Sequence, residues 1–92
     1  MIGDNLIYFC DSYYLMIDYD ESLEEIVSQF IKAETPQLLK DTISEMSIIL
    51  KNKEDKDLNY ILEKSSVINT PKEDLLNMIK EIYDAFQKII NK

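Results

Sequence analysis

At 92 residues the chain is shorter than the roughly 100–150 of a typical domain, so it holds one small core and is read as a single domain over 1–92. Its 46% hydrophobic and 30% charged residues are those of a globular chain rather than a disordered one. The net charge of −8 repels nucleic-acid phosphates and anionic lipid, which argues against direct binding to either and favours a basic protein as partner.

The absences narrow the chemistry. There is no histidine, arginine or tryptophan, one glycine (Gly3) and one cysteine (Cys10). Catalytic triads and Cys–His pairs need an imidazole, a zinc site needs several Cys or His ligands, and a phosphate loop needs clustered glycines. No catalytic residue, cofactor or metal is therefore expected. A lone cysteine and the lack of a basic-then-apolar leader or a membrane-length apolar run favour the cytoplasm.

The spacing of apolar residues predicts helices throughout. Asp4 or Asn5 is placed to cap a first helix with Leu6, Cys10, Tyr13 and Ile17 inward, ending near Asp18. Ser22 and Glu25 form a capping box that opens a second helix, whose stripe is Leu23, Ile26, Val27, Phe30 and Ile31. Thr35-Pro36 caps and starts a third, long helix running through Lys51, with Leu38, Leu39, Thr42, Ile43, Met46, Ile49 and Leu50 inward and Lys40, Asp41, Ser44 and Glu45 outward. Glu54 or Asp55 begins a two-turn fourth helix with Leu58, Ile61 and Leu62 inward, ending around Lys64. After a linker at Ser65–Asn69, Thr70-Pro71-Lys72-Glu73 reads as a capping box with proline at the first helical position. It opens a last helix bearing Leu75, Ile79, Ile82, Tyr83, Phe86 and Ile90 on one face. The expected fold is all-α, a compact bundle of about five helices.

The charge is polarised along the chain. Residues 1–31 contain seven acids and no lysine, whereas residues 32–92 contain eleven acids and ten lysines. Five of the nine aromatic residues (Tyr8, Phe9, Tyr13, Tyr14 and Tyr19) fall in this acidic third before position 20. Tyrosine offers rigid contact area with a polar tip, so acids interleaved with tyrosines suit docking on a basic protein. The candidate partner-binding residues are Asp11, Tyr13, Tyr14, Asp18, Tyr19, Asp20, Glu21, Glu24 and Glu25. The acids would supply long-range attraction and the tyrosines anchoring contacts. Asp18-Tyr19-Asp20-Glu21-Ser22 also has the alternating oxygen ligands of a calcium loop, but Leu23 stands where that loop needs glycine and Gln29 where it needs a bidentate glutamate. Cys10, on a core-facing position with no basic neighbour in sequence, reads as a small apolar group.

Several short motifs carry a resemblance. They are Tyr8-Phe9, the aromatic-acid run from Tyr14 to Asp20, Ser22-Leu23-Glu24-Glu25-Ile26-Val27 with Phe30, Thr35-Pro36, Glu45 with Ile49-Leu50, and Leu58 to Leu62. Over about Tyr8 to Ile79 the chain resembles a family of small immunity proteins of bacterial contact-dependent growth inhibition systems. That family tends to carry histidine and tryptophan where this chain reads Cys10-Asp11-Ser12-Tyr13-Tyr14, and tryptophan where Leu75-Leu76 stand. The resemblance implies a non-enzymatic cytoplasmic protein that binds and neutralises the toxic C-terminal domain of a cognate exported protein; the nine residues above are the expected contact surface, and a monomer is the favoured state. An acidic helical antitoxin or adaptor outside such systems, or a module that pairs with its own copy, fits the same residues.

Overall fold

The computed structural model describes residues 2–14, 22–65 and 70–91. Among them the chain forms five helices and no strand: α1 (Asp4–Ser12), α2 (Leu23–Ala33), α3 (Pro36–Asn52), α4 (Asp55–Lys64) and α5 (Lys72–Ile90). Two starts follow local side-chain chemistry as expected. Ser22 Oγ accepts the Glu25 N–H at 3.2 Å, and Thr35 Oγ1 accepts the Leu38 N–H at 3.2 Å with Pro36 in the first helical turn. The Val67-Ile68 part of the linker lies outside the described residues, as does Ile17.

The N-terminus of α1 is built differently from expectation. Gly3, not Asp4 or Asn5, is the N-cap, at φ 114° and ψ −13°, and it makes no side-chain cap of its own. The donors of the first turn are met by Glu45 of α3, forty residues away. Its Oε1 accepts the N–H groups of Gly3, Asn5 and Leu6 at 3.0, 3.0 and 3.2 Å, and its Oε2 accepts Asn5 Nδ2–H at 2.6 Å. Glu45 is thus half-buried and turned onto α1, not outward into solvent. The backbone donors of a helix start, together with the positive end of its dipole, hold a carboxylate better than a solvated position does. The helix also closes early, at Ser12, with Tyr13 as its C-cap.

Two further local expectations change. Pro71 is itself the N-cap of α5 and no side chain caps it. Thr70 Oγ1 instead reaches Asp74 Oδ2 at 3.5 Å. Ile90, expected inward, is 44% exposed in the last turn of α5. Lys53 closes α3 in the left-handed region, at φ 51° and ψ 39°, a position where glycine is usual.

At about 1.5 Å per residue, the nineteen residues of α5 make a rod of roughly 28 Å. It packs against α2 and α3, with α4 beside it, while α1 packs on α3 and α4. Leu75, Ile79, Ile82, Ala85 and Phe86 of α5 meet Ile26, Val27 and Phe30 of α2, Met46 and Ile49 of α3, Leu58 and Ile61 of α4, and Leu6, Phe9 and Cys10 of α1 in one buried core. Side-chain pairings set the directions. Glu45 meets the start of α1 and Glu34 its end, so α1 runs antiparallel to α3. Tyr60 meets Asp4 and Ser65 meets Asp11, so α1 runs alongside α4. The radius of gyration, 12.3 Å, matches the scaling for a compact chain of this length, about 12 Å.

Candidate partner-binding surface

The expected contact residues divide into three groups. Asp18, Tyr19, Asp20 and Glu21 lie outside the described residues. Asp11, Tyr13 and Tyr14 sit at the end of α1, and Glu24 and Glu25 in the first turn of α2.

At the end of α1 the aromatic rings are shared between core and surface. Tyr13 lies parallel to Phe9 at a centroid distance of 6.1 Å and edge-on to Phe30 at 5.1 Å. Phe30 in turn meets Phe9 at 5.2 Å and Phe86 at 5.7 Å, both edge-on, the arrangement in which a ring's positive edge meets another's negative face. Much of Tyr13 is therefore committed to the protein's own core, with its hydroxyl donating to Glu34 Oε2. That bond, followed by desolvation, pushes its phenol up to about 12. Tyr14 is half-buried against the core; desolvation first, and then the neighbouring Cys10 and Glu81, raises its phenol as well. Asp11, also half-buried, accepts the Ser65 hydroxyl at 2.8 Å, which ties α1 to the end of α4.

The α2 acids face a different neighbour. Glu24 Oε1 lies 3.6 Å from Lys88 Nζ, in the last turn of α5, so the start of α2 lies beside the end of α5. Each charge sits at the helix end whose dipole favours it. Glu25 is exposed. An open groove of about 570 Å³ runs here, lined by Ser22, Glu24, Glu25, Lys32, Lys88 and Ile89 among others. Beside it, Leu23, Glu24, Glu81, Asp84 and Lys88 border a second depression of about 320 Å³. Glu24 and Lys88 border both. Both hollows are open and charged, suited to a polar protein surface rather than to a small apolar ligand.

The structure also places residues that sequence reasoning left out of the site. Glu34, at the C-cap of α2, accepts hydrogen bonds from two tyrosines: Tyr8 at 3.0 Å and Tyr13. Tyr8, 41% exposed, lies edge-on to Tyr13 at 6.3 Å. Tyr60 donates to Asp4, which holds the Asp4 carboxyl below its ordinary range and the phenol above its own. Glu34 precedes Thr35-Pro36 and reads locally as a joint between helices. Only the packing of α1 across the end of α2, 21 to 26 residues apart in sequence, reveals its role.

Cys10 is buried, and desolvation pushes its thiol up to about 12, the state of an inert apolar group. Among the described residues, no three acids or cysteines converge as metal ligands would, and no helix is long and apolar enough to cross a membrane. No protein-family model matches the chain, and no curated protein or solved structure shows detectable similarity to it.

Proposed function

We propose that this chain is a cytoplasmic immunity protein: it binds a cognate toxin domain and neutralises it without catalysis. The observation that carries this reading is the charge asymmetry, seven acids and no lysine in residues 1–31. The exposed carboxylate of Glu25 and the half-exposed ones of Asp11 and Glu24 supply part of that charge at the surface. Many such toxins are nucleases, and a nuclease needs a basic cleft for phosphates. Carboxylates at that cleft compete with the substrate and steer association. In this reading Asp11, Asp18, Asp20, Glu21, Glu24 and Glu25 supply attraction, and the accessible edges of Tyr13 and Tyr14, together with Tyr19 of the same sequence run, supply contact area.

The test is co-expression with the toxin domain encoded beside this chain, scoring host survival and co-purification. Rescue with a 1:1 complex is expected. Neutralising Glu24 and Glu25 together would slow association and flatten its dependence on salt. No rescue from a toxin shown to be expressed and lethal overturns the pairing. A stable homodimer without any partner, seen by sedimentation, would instead favour a self-pairing module.

A further inference from the structure

We propose that Tyr8, Tyr13 and Glu34 form a receptor for a single arginine side chain of a protein partner. The proposal rests on the reading of the chain as a binder of basic protein, and it names one contact within that encounter.

Three independent features of this corner attract a cation. The first is the carboxylate of Glu34. Both phenols donate to the same oxygen, Oε2, and among the described residues Oε1 takes no hydrogen bond and Glu34 makes no ion pair with any lysine. An anion is thereby fixed in position with one oxygen uncommitted. The second is the aromatic wall. Tyr8 and Tyr13 stand edge-on at 76°, Tyr8 lies 6.5 Å from Phe30, and Tyr8 still leaves 41% of its surface in solvent. A partly exposed ring beside a carboxylate is the setting in which cation–π attraction adds to an ion pair. The third is the end of α2. Glu34 is its C-cap, so the carbonyls of the last turn place the negative pole of the helix dipole here.

The nearest cation in sequence, Lys32, lines the α2–α5 groove and makes no ion pair here. Arginine fits better than lysine. Its planar guanidinium can lie over the Tyr8 ring and donate in the same plane to Glu34 Oε1, whereas an ammonium is a compact, strongly hydrated charge with no flat face. The tyrosine hydroxyls then act as positioning groups, holding the carboxylate that the cation reads.

The probe is N-acetyl-arginine amide, titrated into the whole chain at constant ionic strength. N-acetyl-lysine amide and the uncharged isostere N-acetyl-citrulline amide serve as controls, and the tyrosine ring signals and the backbone amides of the whole chain are followed by NMR. Saturable shifts at Tyr8 and Tyr13 are expected, with arginine binding at least fivefold tighter than either control. Tyr8→Leu, which keeps apolar bulk without the π face, should weaken it at least threefold, and Glu34→Gln should abolish it. Circular dichroism confirms that each variant is folded, and if Tyr8→Leu is not, Glu34→Gln alone decides. Equal shifts with lysine, or shifts spread over Glu24, Glu25 and Asp84 and unchanged by Glu34→Gln, overturn the proposal. Arginine binding without toxin rescue leaves this site standing and removes the immunity reading. Rescue without selective arginine binding does the reverse.

Discussion

Replacing Glu45 by alanine removes a carboxylate that serves four donors at the start of α1: three backbone N–H groups at 3.0–3.2 Å and the Asn5 amide at 2.6 Å. A hydrogen bond to a charged group is worth about 1.5–3 kcal/mol and loss of an ordinary helix cap about 1 kcal/mol. The bonds share one carboxylate at a half-buried site that water can partly re-enter, so they do not add. We expect a loss of about 2–3 kcal/mol. For a domain of this size that lowers Tm by roughly 10–20 °C, since each kcal/mol is worth about 4–8 °C. Glu45→Gln can keep a neutral acceptor at the Oε1 position but then puts an amide donor opposite Asn5 Nδ2, and about half the loss is expected. Thermal and urea unfolding measure both variants, and amide exchange at Asn5 and Leu6 should quicken in the same order. If both variants unfold within about 0.5 kcal/mol of the parent, the range of an ordinary surface substitution, the carboxylate does not hold the helix start and the reasoning fails.

Gly3→Ala places a Cβ 2.9 Å from Ile61 Cγ1, in a fully buried side chain, on a backbone at φ 114°. A loss of about 2–3 kcal/mol in urea unfolding is expected, from left-handed strain and overpacking together. The phenols of Tyr8, Tyr13, Tyr14 and Tyr60 are all raised above the ordinary 10.0, Tyr13 to about 12. They stay protonated in the fold at a pH where the unfolded chain ionises, so their contribution is complete below pH 10 and is lost as pH rises towards 12. Absorbance titration at 295 nm alongside urea unfolding should show delayed ionisation and falling stability over that window, with Tyr13→Phe reducing both. Cys10 should resist a disulfide reagent at pH 8 in the native state and react only as fast as the chain opens, because its thiol is buried and pushed up to about 12. Rapid stoichiometric labelling of the folded chain would contradict its burial.

The legible parts of the fold are those whose cause lies within four residues. Ser22 and Thr35 cap the N–H three positions on, and the three- and four-residue spacing of Leu75, Ile79, Ile82 and Phe86 identifies the buried face of α5. Where the cause is distant, local pattern misleads. Glu45 reads as a solvated acid because nothing near it in sequence shows that the start of α1 arrives opposite it. Ile90 continues the stripe of its helix, yet it is exposed in the last turn, and the stripe alone carries no information about where partners stop. The candidate surface divides the same way. The acids of α2 are visible as a cluster in sequence, but the Tyr8–Tyr13–Glu34 grouping exists only once α1 crosses the end of α2.

The clasp on α1 also orders events in time. A nine-residue helix with no side-chain cap of its own is too short to persist in water, because nucleation fixes several residues for each hydrogen bond gained. During synthesis, residues 3–12 leave the ribosome some forty residues ahead of Glu45, and at about 5–20 residues per second that is an interval of roughly 2–8 seconds. Through it, Leu6, Phe9 and Cys10 have neither cap nor core to shelter them. α1 is therefore completed only after most of α3 has been made, and in that interval its apolar face is open to a chaperone or a neighbouring chain.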